Sequence, residues 1–273
     1  MDPVLVVGVR GGVGAAVAER MLQLGYPVVG TVRSAEQFAE VRAAIPEIFE
    51  LIAVDLADAE LSKQVIGERF RGTPLAGVVV CAAVSACGPL ENVSLSGFRQ
   101  VLEVNTISCL AIYQACMPML RAAKGRMVMV SSHSGRVAFP FLGEYQASKF
   151  ALEALGDTMR QEAADFGVKV VIVEPGGIDT AMTRNIRQQI LRDMEALSES
   201  EKALYGSIYK LFADRMKALT QLLTAADVAK HVIEAFTAPN PEPRYLVGDD
   251  TKFLIERRQA LTDREMDALL RSI

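Results

Sequence analysis

Ser131-Ser132 stands ahead of a Tyr145-x-x-x-Lys149 sequence, with Ser132 thirteen residues before the tyrosine. On a helix, residues four apart share one face. An ammonium beside a phenol favours the phenolate and lowers its pKa from ~10 toward a working pH. Such a pair is a general acid/base that needs no histidine, and Ser132 can hydrogen-bond a substrate oxygen. Taken alone, the spacing is common on helix surfaces. The chain has two histidines, His133 and His231. That excludes a histidine-rich metal site and most histidine-based proton transfer. His133, next to Ser132, reads as a loop residue near a pocket mouth and not as a catalyst. Cys81, Cys87, Cys109 and Cys116 form no CxxC pair, so they read as reduced, buried thiols of a cytosolic protein, and no metal site is expected.

A second chemical signal lies near the start. Gly8-Val9-Arg10-Gly11-Gly12-Val13-Gly14 follows an apolar run. Glycines here let the backbone turn tightly and approach a phosphate, and the helix behind them aims its free N–H groups at an anion. The spacing is GxxxGxG, not the GxGxxG of other dinucleotide folds. Cofactor choice is legible in Gly30-Thr31-Val32-Arg33-Ser34. An acidic residue at Val32 would bind a ribose 2′-hydroxyl and repel a 2′-phosphate. None is present. Arg33 follows with a guanidinium that matches a phosphate, and Arg10 can reach the same group. The combination favours NADP(H) over NAD(H).

The elements that must carry these residues alternate. Strands are expected at Pro3–Val9, Pro27–Val32, Phe49–Leu56, Leu75–Cys81, Gly125–Ser131 and Val168–Glu174, with a short last one at Arg244–Val247. Helices are expected at Ala15–Leu24, Ser34–Ala44, Ala59–Phe70, Gly97–Ala123 and Glu144–Phe166. Nearly continuous apolar strands fit a parallel sheet covered on both faces. Alternating βα units imply a single-domain, Rossmann-type, doubly wound α/β fold, whose ligands bind beyond the C-terminal strand ends. Thr180–Thr220 has no strand signal and reads as one or two amphipathic helices. Thr224–Phe236 begins with Thr224 as N-cap and Asp227 three residues on. A helical tail follows the last strand. No linker or repeat divides residues 1–273.

With half its residues apolar and a net charge of -4, the chain can bury a large core and lacks the basic footprint of a nucleic-acid binder. No stretch is long and apolar enough to span a bilayer, and the N-terminal run is too short for a signal peptide. A cytoplasmic location is expected.

Together the motifs resemble the short-chain dehydrogenase/reductase family over nearly the whole chain. The matches are the Gly8/Gly12/Gly14 loop, Asp55-Leu56, Asn105, Ser132, Tyr145, Lys149 and Pro175-Gly176-x-Ile178-x-Thr180. The resemblance implies that Tyr145 is the acid/base. Lys149 would lower its pKa and hold the ribose, Ser132 would orient substrate, and Asn105 would support a water-linked proton relay through Lys149. Asp55 would sit by the adenine, and Ile178 and Thr180 would hold the nicotinamide amide. Two departures stand out. Val7 replaces the usual Thr before the first glycine. The Asn-Asn-Ala-Gly segment after the fourth strand reads Val80-Cys81-Ala82-Ala83, where Ala82 and Ala83 would flank the cofactor.

Gly88-Pro89-Leu90-Glu91, Val173-Glu174-Pro175-Gly176 and Arg244-Tyr245-Leu246-Val247-Gly248 look like the branch holding 17β-hydroxysteroid and retinol dehydrogenases. The implied function is NADP(H)-dependent interconversion of a ketone or aldehyde and an alcohol on a hydrophobic small molecule, steroid-, retinoid-, polyketide- or lipid-like. The competing readings are a non-catalytic NADP(H)-binding sensor and a partner-binding protein that kept the fold. Residues 180–220 are expected to form a mobile lid, with Met182, Met194, Leu197, Leu204, Tyr205, Ile208 and Phe212 facing substrate. Ile107, Leu110, Ile112, Phe150, Leu152 and Leu155 exceed what one helix face needs. In the family the helices that carry them pair with their copies, so a homodimer or homotetramer is expected.

Overall fold

In the computed structural model, residues 1–218 and 222–272 are described. Leu219 and Thr220, the end of the expected lid, lie outside the described residues, as do Gln221 and Ile273. The chain alternates as β1 (Val4–Val7), α1 (Gly12–Gln23), β2 (Val28–Val32), α2 (Phe38–Ala44), β3 (Glu50–Ala53), α3 (Ala59–Arg69) and β4 (Gly77–Val80). It continues through α4 (Leu95–Leu102), α5 (Ser108–Ala123), β5 (Arg126–Val130), α6 (Gly143–Ala163) and β6 (Lys169–Pro175). Then come α7 (Ala181–Ala196), α8 (Glu199–Ala218), α9 (Ala225–Thr237), β7 (Arg244–Val247), α10 (Asp249–Ala260) and α11 (Asp263–Ser272). No helix among the described residues is long and apolar enough to cross a membrane.

The strands form one sheet in the order β3-β2-β1-β4-β5-β6-β7, all parallel. This is the doubly wound α/β order, which reverses between β1 and β4. Each strand feeds a core on both faces, because successive side chains point to opposite sides. Leu5, Val78, Met127 and Ile172 meet Phe70, Ile112, Leu120 and Met159 on one face. Val4, Val6, Val79, Val128 and Val171 meet Val17, Met21, Val228 and Val232 on the other. Burial on both faces is why the strands read as unbroken apolar runs.

Most strands are shorter than their apolar runs, since the flanking residues turn into the loops that form the site. The helix expected over Gly97–Ala123 starts at Leu95 and is interrupted by a π turn at Glu103–Ile107. Ser94 caps it by accepting the Gly97 N–H. Thr224 and Asp227 form the expected reciprocal cap of α9. Of the residues expected on an oligomer face, Ile112 and Leu152 instead belong to the chain's own core, while Ile107 and Phe150 are exposed.

Candidate functional site

The turn after β1 lies at the point where strand order reverses. Gly8 adopts φ +90°, a backbone region that side chains disfavour. A Cβ on Gly14 would collide with the Gly8 carbonyl oxygen, so the loop folds back on the first turn of α1. No side chain caps α1, and its first turn holds no acidic residue, so its N-terminus is left as an anion site. The Gly8 N–H donates to Thr31 Oγ1 at 3.0 Å. Thr31 thus supplies a hydroxyl beside the loop, where Val7 is fully buried. No motif signals that role for Thr31.

This loop opens on a cavity of about 460 Å³. Gly8, Arg10, Gly11, Gly12, Val13, Gly14, Arg33, Asp55 and Leu56 line it. So do Ala82 and Ala83. Ser132, Tyr145, Lys149, Pro175, Gly176, Ile178 and Thr180 line the same cavity. A cavity with a glycine cradle and an uncapped helix start in its wall fits a dinucleotide. Arg10 is paired with Glu40 on α2 at 2.8 Å. Arg33 is exposed, with no ion-pair partner among the described residues. Asp55 Oδ1 accepts the Ala57 N–H at 3.1 Å.

Tyr145 and Lys149 project from the first turns of α6. Lys149 is 2% exposed, and its Nζ donates to the Val130 carbonyl at 3.0 Å. Burial lowers its pKa to about 8, against the upward pull of Cys109, Glu153 and Cys81. The ammonium lies 5.7 Å from the Tyr145 ring centre. Burial raises the Tyr145 phenol to about 12, opposed by a hydrogen bond with Ser132. Burial of the phenol thus works against the expected drop, and it outweighs the Ser132 hydrogen bond. Lys149 itself is held by a backbone carbonyl. Ser132 is buried, and its hydroxyl accepts the Ser134 N–H at 3.1 Å.

Asn105 departs from its expected place. It does not line the cavity. From the π turn, its amide donates to the Val84 carbonyl and accepts the Val84 N–H, both at 2.8 Å. It also donates to Ser148 Oγ at 2.9 Å. The side chain ties the segment after β4 to α6. His133 is in the short turn after β5 and does not line the cavity: Nδ1 lies 3.3 Å from the Pro175 carbonyl, and the ring meets Phe139 edge-on.

The α7–α8 pair is present, but most of its apolar residues do not face the slot. Met182 lines the cavity. Phe212 is buried, and Met194, Leu197, Tyr205 and Ile208 pack with it around Phe141. Leu204 is exposed. Phe141, which no motif marks, lies 4.5 Å from the Tyr209 ring in an edge-to-face contact and stacks at 5.5 Å on Phe212. Its φ of 71° is unusual for a bulky residue, and its carbonyl accepts the Gly88 N–H at 2.9 Å. An apolar groove of about 650 Å³ runs between Leu90, Phe139, Phe150, Tyr205 and Ile208.

Comparison with known proteins gives a consistent set. The family model described as short chain dehydrogenase matches residues 2–191. The chain is 31% identical to 3-amino-tetrahydro-pyrrolizinone reductase of Xenorhabdus hominickii, over 97% of this chain and 93% of that protein. It is 29% identical to NADPH-dependent 3-dehydrocapnine reductase of Ornithobacterium rhinotracheale, over 97% and 94%. It is 31% identical to retinol dehydrogenase 16 of Mus musculus, over 98% and 87%. A short-chain dehydrogenase structure from Streptomyces avermitilis superposes with a TM-score of 0.78 at 24% identity, covering 98% of this chain and 95% of that one.

Proposed function

Because the chain belongs to the short-chain dehydrogenase family, we propose that it is an NADP(H)-dependent oxidoreductase interconverting a carbonyl and an alcohol on a hydrophobic small molecule. The observation that carries this reading is the convergence of Ser132, Tyr145 and Lys149 on the same cavity as the Gly8–Gly14 loop.

The chain's residues divide the work. The amides of the glycine loop and the start of α1 hold the pyrophosphate. Arg33, with Arg10, binds the 2′-phosphate. Asp55 and Leu56 flank the adenine, and Ala82 and Ala83 form the wall beside the ribose. Lys149 holds the nicotinamide ribose, and Pro175, Gly176, Ile178 and Thr180 hold the nicotinamide. When bound, NADPH supplies the hydride. Tyr145 gives its proton to the carbonyl oxygen, because negative charge develops there. Lys149 stabilises the phenolate left behind, and Ser132 donates a hydrogen bond to the same oxygen. Asn105 acts by holding the Val84 segment. NADPH is favoured by Arg33 without an acid at Val32, and by the NADPH-dependent relative.

In this reading α7 and α8 act as a lid, and the groove beside Tyr205 and Ile208 favours an apolar substrate. Exposed Ile107 and Phe150 support an assembly of copies through α5 and α6.

The test is consumption of NADPH by the purified chain with a panel of steroid, retinoid and aliphatic ketones. Tyr145→Phe should bind NADPH normally and lose on the order of 100-fold or more in rate. The non-catalytic reading is favoured by one observation, the Val80-Cys81-Ala82-Ala83 departure. NADPH binding with no turnover of any ketone would support it.

A further inference from the structure

The segment Pro175–Thr180 carries the residues assigned to the nicotinamide, yet it has little regular structure of its own. Backbone bonds pin it at several points. The Gly176 N–H donates to the Val247 carbonyl, and the Asp179 N–H donates to the Leu223 carbonyl, both at 2.9 Å. The Leu223 N–H donates to the Gly177 carbonyl at 2.9 Å. One pin in this set is a side chain from far along the chain. Asp250 Oδ2 accepts the Gly177 N–H at 3.0 Å, while Oδ1 accepts the Thr251 N–H at 2.8 Å. Both oxygens are used, one on each backbone N–H, although Asp250 is exposed.

The carboxylate lies over Gly176 and Gly248, where a Cβ on either would meet its oxygens. Gly248 has φ +102°, which lets the chain turn from β7 into α10 with Asp250 facing back toward the loop. The start of a helix favours a negative charge. The segment it holds begins Gly176-Gly177, which has more conformational freedom than any other residue pair. Without the pin, that freedom passes to Ile178 and Thr180.

We propose that Asp250 is a positioning residue that fixes the Pro175–Thr180 segment against the nicotinamide half of the cofactor, a role that rests on the NADP(H) reading above. Asp250 touches neither hydride nor substrate. It acts through the Gly177 N–H and sets how well the nicotinamide half is held, while the adenosine end is held elsewhere by the glycine loop and Arg33.

The experiment is calorimetric titration of the full chain with NADPH and with adenosine 2′,5′-bisphosphate, which lacks the nicotinamide half. Asp250→Ala should weaken NADPH by about fivefold or more, the scale of one lost charge-assisted hydrogen bond. Its affinity for adenosine 2′,5′-bisphosphate should stay within about twofold of wild type. Asp250→Asn keeps one acceptor oxygen for two N–H donors, so it should lie between, weakened toward NADPH alone. Asp250→Asn also carries the comparison if the alanine variant does not fold. Equal weakening of both ligands would make Asp250 merely structural and overturn the proposal, as would unchanged NADPH affinity in a folded variant. If wild type fails to bind NADPH, with or without binding the bisphosphate, the cofactor reading falls and this role with it.

Discussion

Carbonyl reduction should fail on the alkaline side when Lys149 loses its proton, well before Tyr145 does. Burial holds Tyr145 near 12, so it remains a protonated acid across the usable range. Lys149, lowered to about 8 by burial, is the first charge to disappear, and with it goes the stabilisation of the phenolate. For one ionisation at that value, the charged fraction falls from roughly nine-tenths near pH 7 to roughly one-tenth near pH 9. The kcat/KM for ketone reduction should therefore drop about tenfold over that interval. The assay is the initial rate of NADPH oxidation at subsaturating ketone and constant ionic strength. Lys149→Arg keeps a charge at every accessible pH, so its residual activity should lose the alkaline limb. Stability gives an independent reading. A folded pKa below the unfolded one means that the folded state binds fewer protons between the two, so stability rises with pH from about 8 to about 10.4. The full span is on the order of 3 kcal/mol, and Lys149→Met should flatten it. A kcat/KM flat to about pH 10, or an alkaline limb unchanged in Lys149→Arg, would refute the assignment.

Other expectations follow from single contacts. Arg33→Ala should erode the ratio of NADH to NADPH dissociation constants by about tenfold or more. Glu40→Gln should act in the opposite direction, since it frees Arg10 from its 2.8 Å ion pair, and titrations with both cofactors read each change. Glu174 is fully buried, and its carboxyl is raised to about 7 by burial first and by Glu153 second, against Arg136 and Arg244. Its folded state holds a proton that the unfolded chain releases from about 4.5 upward, so stability falls as pH rises from there to about 7. Glu174→Gln should remove that fall in thermal midpoints measured against pH. Sedimentation at micromolar concentration should find a dimer or tetramer, and Phe150→Asp should shift it toward monomer.

The sheet was legible because its strands are buried on both faces and their apolar runs are unbroken. The Gly8–Gly14 spacing was legible because a turn that packs glycine on glycine tolerates few other residues. Tertiary effects were not. Asn105 carries its family's residue type, but its partners, Val84 and Ser148, are brought to it by β4 and α6, and the π turn that aims it has no strong sequence signature. The upward shift of Tyr145 depends on how far its phenol is desolvated where it lines the cavity, which residue types alone do not specify. The apolar residues of α7 and α8 look alike whether they face a ligand or each other. Phe141, some forty residues earlier in the chain, decides which of them pack together.

The departure at Val80-Cys81-Ala82-Ala83 changes how the segment after β4 is held, and leaves its path intact. Val80 is buried, and burial keeps the Cys81 thiol neutral by raising it to about 12. Neither can bridge strands as an asparagine side chain would. The backbone takes over part of that task, since the Cys81 N–H donates to the Val7 carbonyl at 3.0 Å. Ala82 packs its Cβ where Gly8 has none, so the glycine loop and this segment remain in contact. Beyond Ala83, Asn105 grips both backbone groups of Val84 and passes to Ser148. Thr106 donates to the Ser148 carbonyl at 2.8 Å, one residue before Lys149. The ties now run from the π turn to α6, not between neighbouring strands. They hold the wall of the slot to the helix that carries Tyr145 and Lys149. The Lys149 ammonium keeps its bond to the Val130 carbonyl. The altered segment is therefore compatible with a working Ser132, Tyr145 and Lys149, and it weakens the case for a fold that has lost its chemistry.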